Sequence, residues 1–202
     1  ALRFLAERAG IALPEQEYSE EAKRQSDLKG RLLEVNKQAA TYFYYQFKNP
    51  EGQAAYDYLV NRGLAEDTIK HFGLGYSNHN SDDLYRYLKK IGYEDDFLSQ
   101  SGLVTIDERL GGRDKFRDRV MFPIMDANHR VIGFGGRVMG NAGPEVPKYL
   151  NTPETRIFEK SRNLYGLNFA KASRKTYFLI CEGYMDVIAL HQAGFTNAVA
   201  AL

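Results

Sequence analysis

Apolar positions recur at spacings of three and four along the first third of the chain and at spacings near two through its middle. Between Glu20 and about Phe47, the residues Leu28, Leu32, Val35, Ala39 and Tyr42 fall on one face. That spacing predicts a single long amphipathic helix, with Gly30 as a weak point inside it. Ahead of it, Leu2, Leu5, Ala6 and Ala9 share one face of a short helix that Gly10 can end, and Ile11 to Ser19 reads as a linker without period. Shorter helices are expected over Gly52–Arg62, closed by Gly63, and over Glu66–Phe72, closed by Gly73. Another is expected over Asp82–Ile91, with Ser81 or Asp82 as N-cap and Gly92 as its stop.

The period changes near residue 103. Leu103–Ile106, Arg119–Met125 and Arg130–Arg137 are rich in β-branched and aromatic residues and read as strands, with Asp126–His129 as a hairpin connection. Gly140–Pro147 is a Gly/Pro-rich loop, and Ile157–Ala170 mixes helix and turn signals. The chain closes with a strand at Thr176–Cys181, a helix at Gly183–Gln192 stopped by Gly194, and the start of a strand at Asn197–Leu202. That order is a βαβ unit, whose strands are normally parallel. No internal repeat is present.

Composition narrows the class. At 202 residues, 44% hydrophobic and 26% charged, the sequence suits one large or two small globular domains rather than a disordered chain. No run approaches the roughly 18 apolar residues of a membrane span, and the N-terminus shows no secretory pattern. The one cysteine, Cys181, forms neither an internal disulfide nor a thiolate zinc cluster, which fits a reducing cytoplasm. The net charge of +1 conceals an asymmetry. Residues 109–175 hold 14 Lys/Arg against 6 Asp/Glu, a balance of +8, and the remainder balances at −7. A basic segment inside a neutral chain points to a surface for a polyanion, with an ordinary solvated face as the alternative.

Four stretches could carry chemistry. Glu182 stands at the end of the last apolar strand, where ligands gather in open α/β sheets, and Asp186 follows four residues later. Two such carboxylates suit a hard cation such as Mg²⁺; Glu182 could equally act as a general acid or base, or only favour the positive N-terminus of the next helix. Gly183 between them permits a tight turn. In "RDKFRDR", Arg113, Lys115, Arg117 and Arg119 alternate, so an extended chain would line all four on one face for a phosphate backbone, or as the charged defence of an edge strand. In "GFGGRV", Gly135 and Gly136 before Arg137 would let backbone approach a ligand beside a guanidinium that can grip phosphate. "PKYLNTPET" sets Lys148 beside Tyr149 in a loop stiffened by two prolines. The aromatic cluster Tyr42–Tyr45 and Phe47 could stack on bases but reads first as core and flank of its helix. His71, His79, His129 and His191 are scattered, with no metal-ligand pair or triad partner.

At this point the motifs resemble a known family. "EGYMDVIAL" (182–190) is similar to the first signature of the TOPRIM domain as it occurs in the bacterial replicative primases. "FRDRVMFPIMDANHRVIGFGGRVMG" (116–140) and "PKYLNTPETRIFEKSRNLYGL" (147–167) resemble the basic motifs that precede that domain, and "VNRGLAEDTIKHFGLGYS" (60–77) fits upstream. The resemblance covers the chain from about Leu28. It implies an α/β protein: a connector over 1–19, an α+β basic subdomain with a mainly antiparallel sheet over 20–174, and the first βαβ of a Rossmann-like TOPRIM domain over 175–202.

The resemblance also implies a DNA-templated RNA polymerase that makes short primers from ribonucleoside triphosphates with Mg²⁺ or Mn²⁺. Glu182 is then the catalytic glutamate at the metal, with Asp186 as second acid. Arg62, Arg117, Arg119, Arg137, Lys148, Tyr149 and Lys160 would hold the single-stranded DNA template, the RNA–DNA hybrid and the nucleotides. A replicative helicase and a single-strand-binding protein are expected partners of the intact enzyme, which acts in the cytoplasm without a membrane. Two departures stand out. The paired aspartates that complete a TOPRIM metal site would lie beyond Leu202, and the cysteines of the family's N-terminal zinc domain are missing. The chain is therefore expected to be a fragment that does not polymerise alone. Other TOPRIM enzymes, topoisomerases and nucleases, and a plain single-strand-binding module are the rival readings.

Overall fold

Helix α1, Glu20–Gln46, forms as its apolar spacing predicts, burying Leu32, Val35, Asn36, Ala39 and Phe43 along one stripe. The structure is a computed structural model that describes Arg8, residues 20–107, 109–140, 143 and 145–202. The expected helix around Leu2–Ala9 and the linker Ile11–Ser19 lie outside the described residues apart from Arg8. Helices α2 (Gln53–Asn61) and α3 (Glu66–His71) follow, the first entered through a 3-10 turn at Pro50–Gly52. Gly63 and Gly73 stop them in left-handed backbone, which an L side chain resists.

The centre is a four-stranded antiparallel sheet in the order β1-β4-β5-β6: β1 Gly75–Ser77, β4 Arg119–Met125, β5 Val131–Val138 and β6 Tyr149–Asn151. The β4–β5 hairpin turns at Asp126–His129, where Asp126 accepts backbone N–H bonds from Asn128 and Arg130 and pairs with the Arg130 guanidinium. Its register slips between Ile124 and Met125, leaving Ile132 as an extra residue. This bulge puts Ile132 in one core and Phe134, two residues on, in the other.

Both faces of the sheet are covered. On one, Val120, Phe122 and Ile124 meet α2, α3, Phe158 and Tyr165; on the other, Met121 and Phe134 meet α1 and helix α4, Asp83–Lys90. Each fully buried Leu or Phe side chain contributes about 2 kcal/mol. A second hairpin, β2 (Val104–Asp107) with β3 (Gly111–Asp114), follows the short helix α5 (Asp95–Leu98). Asp82 is the N-cap of α4, yet its side chain makes no capping bond. Asp114 caps the helix instead, accepting N–H bonds from Leu84 at 2.9 Å and Tyr85 at 2.8 Å.

After a 3-10 turn at Lys160–Arg162 and the one-turn helix α6 (Leu167–Ala170), the chain makes the expected βαβ unit. Strand β7 (Leu179–Cys181) and β8 (Ala198–Ala200) are parallel, joined by α7 (Tyr184–Gln192). The strands are shorter than the apolar runs suggest: Tyr177 and Phe178 are exposed before β7 begins. The unit is tied into the rest. Tyr165 bridges to Ala200, Val187 and Ile188 enter the first core, and the Gln192 amide bonds Ala65 N–H and Gly63 C=O. No helix among the described residues is long and apolar enough to cross a membrane.

Candidate nucleic-acid interface and carboxylate turn

Strand β7 stops at Cys181 and α7 begins at Tyr184, so Glu182 and Gly183 form the turn between them. Glu182 and Asp186 are both exposed. The Asp186 Oδ2 lies 3.7 Å from where a Cβ on Gly183 would stand, so its carboxylate folds back toward the turn that carries Glu182. Gly183 has extended backbone, φ −156°, so the turn does not require a glycine there; its missing side chain leaves room instead. Cys181 is half-buried, and burial pushes its thiol up, with the Asp186 charge adding to this. Among the described residues no group of three His, Cys, Asp or Glu could hold a metal ion.

Tyr184 fixes this turn to the sheet. Its ring is 7% exposed, stacks on Phe122 at 5.0 Å and donates its hydroxyl to Asn151 Oδ1 at 2.7 Å. The slot it fills is Gly135: a Cβ there would stand 2.4 Å from the Tyr184 ring. Gly136, on the other face, gives its space to Phe116 and the Arg119 stem. The glycine pair therefore serves side chains of the protein itself, where the sequence suggested close approach of a ligand.

One step along the same face from the Gly135–Asn151 pair is the Arg137–Tyr149 pair. Arg137 lies over the Tyr58 ring of α2, 4.4 Å from its centroid. Tyr149 lies 6.0 Å from Tyr184. Burial raises the Tyr149 hydroxyl above its ordinary value, against the opposing charges of Arg137 and Arg62. Arg62, Tyr58, Arg137 and Tyr149 thus converge beside the carboxylate turn, a combination of cations and rings that suits phosphates and bases.

The alternating stripe divides. Arg113 ends up on β3, Lys115 and Arg117 in the connection, and Arg119 at the start of β4. Asp118 breaks the extended run with a left-handed backbone, φ 48°, held by the Tyr76 hydroxyl on its Oδ1 and by backbone bonds to Asn78 and Met139. Arg119 consequently turns inward to 4% exposure and donates through Nη1 to the carbonyls of Gly136 and Pro147, both at 3.0 Å. Burial lowers its pKa. Lys115, Arg117 and His79, with Asp118 and the edge of Arg119, line a cleft of about 380 Å³ walled by Val138, Met139 and Val146. Lys148 is exposed on the segment that Arg119 holds, and Lys160 is half-buried on its 3-10 turn.

Ion pairs among the described residues engage Arg24, Lys37, Arg86, Lys89, Arg130 and Arg162. Arg62, Lys115, Arg117, Arg137, Lys148 and Lys160 take no carboxylate partner there. Sequence patterning missed Tyr58, Asn151 and the role of Tyr184. Their partners lie 79 and 33 residues away, beyond any local period; the glycine facing an aromatic was the only trace.

Comparison with known proteins bears on the whole chain. Residues 42–171 match the family described as DNA primase catalytic core, N-terminal domain, and residues 177–202 match the Toprim domain. A DNA primase of Deinococcus radiodurans is 44% identical over 205 residues, covering 100% of this chain and 34% of that protein. The RNA polymerase domain of the Mycobacterium tuberculosis primase, solved with a double-stranded DNA oligomer bearing a 6-nucleotide overhang, superposes with a TM-score of 0.81 at 33% identity, over 85% of this chain and 54% of that one. A primase catalytic domain bound to single-stranded DNA gives 0.77 at 38% identity, over 88% and 55%. The chain spans about a third of the length of the curated relatives it matches.

Proposed function

Because this chain belongs to the DNA primase catalytic-core family, we propose that it carries the template-holding surface and one carboxylate arm of a DNA-templated RNA polymerase that makes short primers. The observation that carries this reading is the convergence of Arg62, Tyr58, Arg137 and Tyr149, without carboxylate partners, on the sheet face where Tyr184 pins the Glu182 turn. Residues 20–174 act as the basic subdomain and 175–202 as the opening of the TOPRIM unit. The intact enzyme works in the cytoplasm on single-stranded template, RNA–DNA hybrid and ribonucleoside triphosphates, with a replicative helicase and a single-strand-binding protein as partners.

The donors present fit a divalent metal. Glu182 and Asp186 are exposed hard oxygen ligands four residues apart, and the Asp186 carboxylate folds back toward the turn that carries Glu182; Mg²⁺ is commonly held by one or two carboxylates plus substrate phosphates. Bound there, Mg²⁺ or Mn²⁺ would supply charge neutralisation at the reacting phosphate. The remaining work falls to this chain's own groups. Arg137 and Arg62 grip phosphate oxygens, Arg137 bidentately through its planar fork, and Lys148 adds a point charge at the rim. Tyr149 offers a ring face to a base, and Arg117 and Lys160 extend the basic track along the strand. Such positioning and charge stabilisation are the main protein contribution to phosphoryl-type transfer.

The test joins this chain to the remaining core of a relative and measures primer synthesis on single-stranded template. Glu182→Gln should abolish synthesis, by 100-fold or more on the order expected for loss of a charge-stabilising group, while template affinity stays within about twofold. A normal synthesis rate in Glu182→Gln would refute the role given to Glu182.

A further inference from the structure

We propose that Arg119 is a positioning residue that sets Lys148 and Tyr149 on the nucleic-acid surface and makes no phosphate contact of its own; the proposal rests on the nucleic-acid reading above.

Arg119 is enclosed at 4% exposure, and its Nη1 is committed to two carbonyls, Gly136 on β5 and Pro147 immediately before Lys148. A second bond repeats the tie, from Val138 N–H to the Lys148 carbonyl at 3.0 Å. Together they clamp Pro147 and Lys148 against β5, one residue short of the Arg137–Tyr149 pair. Gly136 makes the arrangement possible, because a Cβ there would crowd the Arg119 Cδ at 3.0 Å. A guanidinium suits this clamp because it is planar, stays charged, and can bond two carbonyls without an acceptor of its own to satisfy. The two carbonyls hold Nη1 inside, so Arg119 shows the cleft it shares with Lys115 and Arg117 only what its 4% exposure leaves of the guanidinium. Arg117, two residues earlier, is exposed in the cleft and has no such commitment.

The test is the salt dependence of single-stranded oligonucleotide binding by the 202-residue chain, read by fluorescence anisotropy. Each lost phosphate contact lowers the slope of log affinity against log salt by about 0.7 for a single strand. Arg117→Ala and Lys148→Ala should each lose about one such step. Arg119→Met, which keeps the buried stem, and Arg119→Lys, which keeps the charge, should both lose the same step as Lys148→Ala. Combining either with Lys148→Ala should remove nothing more. Wild-type slope in Arg119→Lys, together with additive losses in Arg119→Met/Lys148→Ala, would overturn the proposal.

A measurement on the unaltered chain stands if these variants do not fold. Phenylglyoxal modification read by mass spectrometry should label Arg117 and be blocked there by oligonucleotide, while Arg119 stays unlabelled with or without it. Labelling of Arg119 that oligonucleotide blocks would also overturn the proposal. Absence of binding by the wild-type chain at low salt defeats the nucleic-acid reading itself, whereas binding with additive Arg119 and Lys148 losses defeats the positioning role alone.

Discussion

Asp114 organises helix α4 from outside it, and it does so as a buried carboxyl 7% exposed. Burial raises its pKa from 3.8 to about 6, with the charges of Asp83 and Asp82 adding to this and the two backbone N–H bonds opposing it. A carboxyl that holds its proton more tightly when folded favours the fold most below its unfolded pKa. That contribution is lost as pH rises from about 4 through 6, and amounts to on the order of 3 kcal/mol. Asp114→Asn has no proton to lose, so its stability relative to wild type should improve by about 2 kcal/mol between pH 4.5 and pH 7. Denaturant midpoints of the two proteins across that range check this, and a constant difference would remove Asp114 as the titrating group. Gly135 acts by what it lacks. Gly135→Ala puts a methyl 2.4 Å from the Tyr184 ring, and overpacking of this kind costs roughly 1–3 kcal/mol. We expect the upper end, since Phe122 and Asn151 hold the ring on two sides. A midpoint within error of wild type would mean that the ring gives way.

At the scale of elements, periodicity worked where an element buries one continuous face. The stripe Leu32, Val35, Ala39 fixed α1, and β4 runs over Arg119–Met125 as its composition predicts. The βαβ close was legible for the same reason, with Gly194 in left-handed backbone as the helix stop. The expectation failed at Arg113–Arg119, where alternation holds only while the backbone stays extended. Asp118 tolerates left-handed backbone better than most residues, and bonds from distant Tyr76 and Met139 hold it there. No local pattern contains those partners. The same limit hid the capping of α4 by Asp114, thirty residues downstream, and the short elements between Thr155 and Ala170, which exist because Phe158 and Tyr165 enter the core. Of the site, the carboxylate turn and the basic residues were visible in sequence, and their division between an open surface and an internal clamp was not.

Taken whole, the molecule carries a net charge of +1 with its basic excess concentrated in residues 109–175, and that has a measurable signature. If Arg62, Arg117, Arg137, Lys148 and Lys160 meet phosphates, single-strand affinity should fall with salt at a slope of about −3 to −4. A slope shallower than −1 in a filter-binding titration would show that these residues are only solvated. The four-stranded sheet with a core on each face also decides how the chain can vary over generations. Gly135 lies in the segment that matches the primase-core family and Tyr184 in the segment that matches Toprim, yet the ring fits only where the other position has no side chain. The two positions are therefore expected to change together. A Toprim unit transplanted from elsewhere must bring a ring of that length or leave an empty slot, and a lineage that enlarges residue 135 must give up the tyrosine in the same stroke.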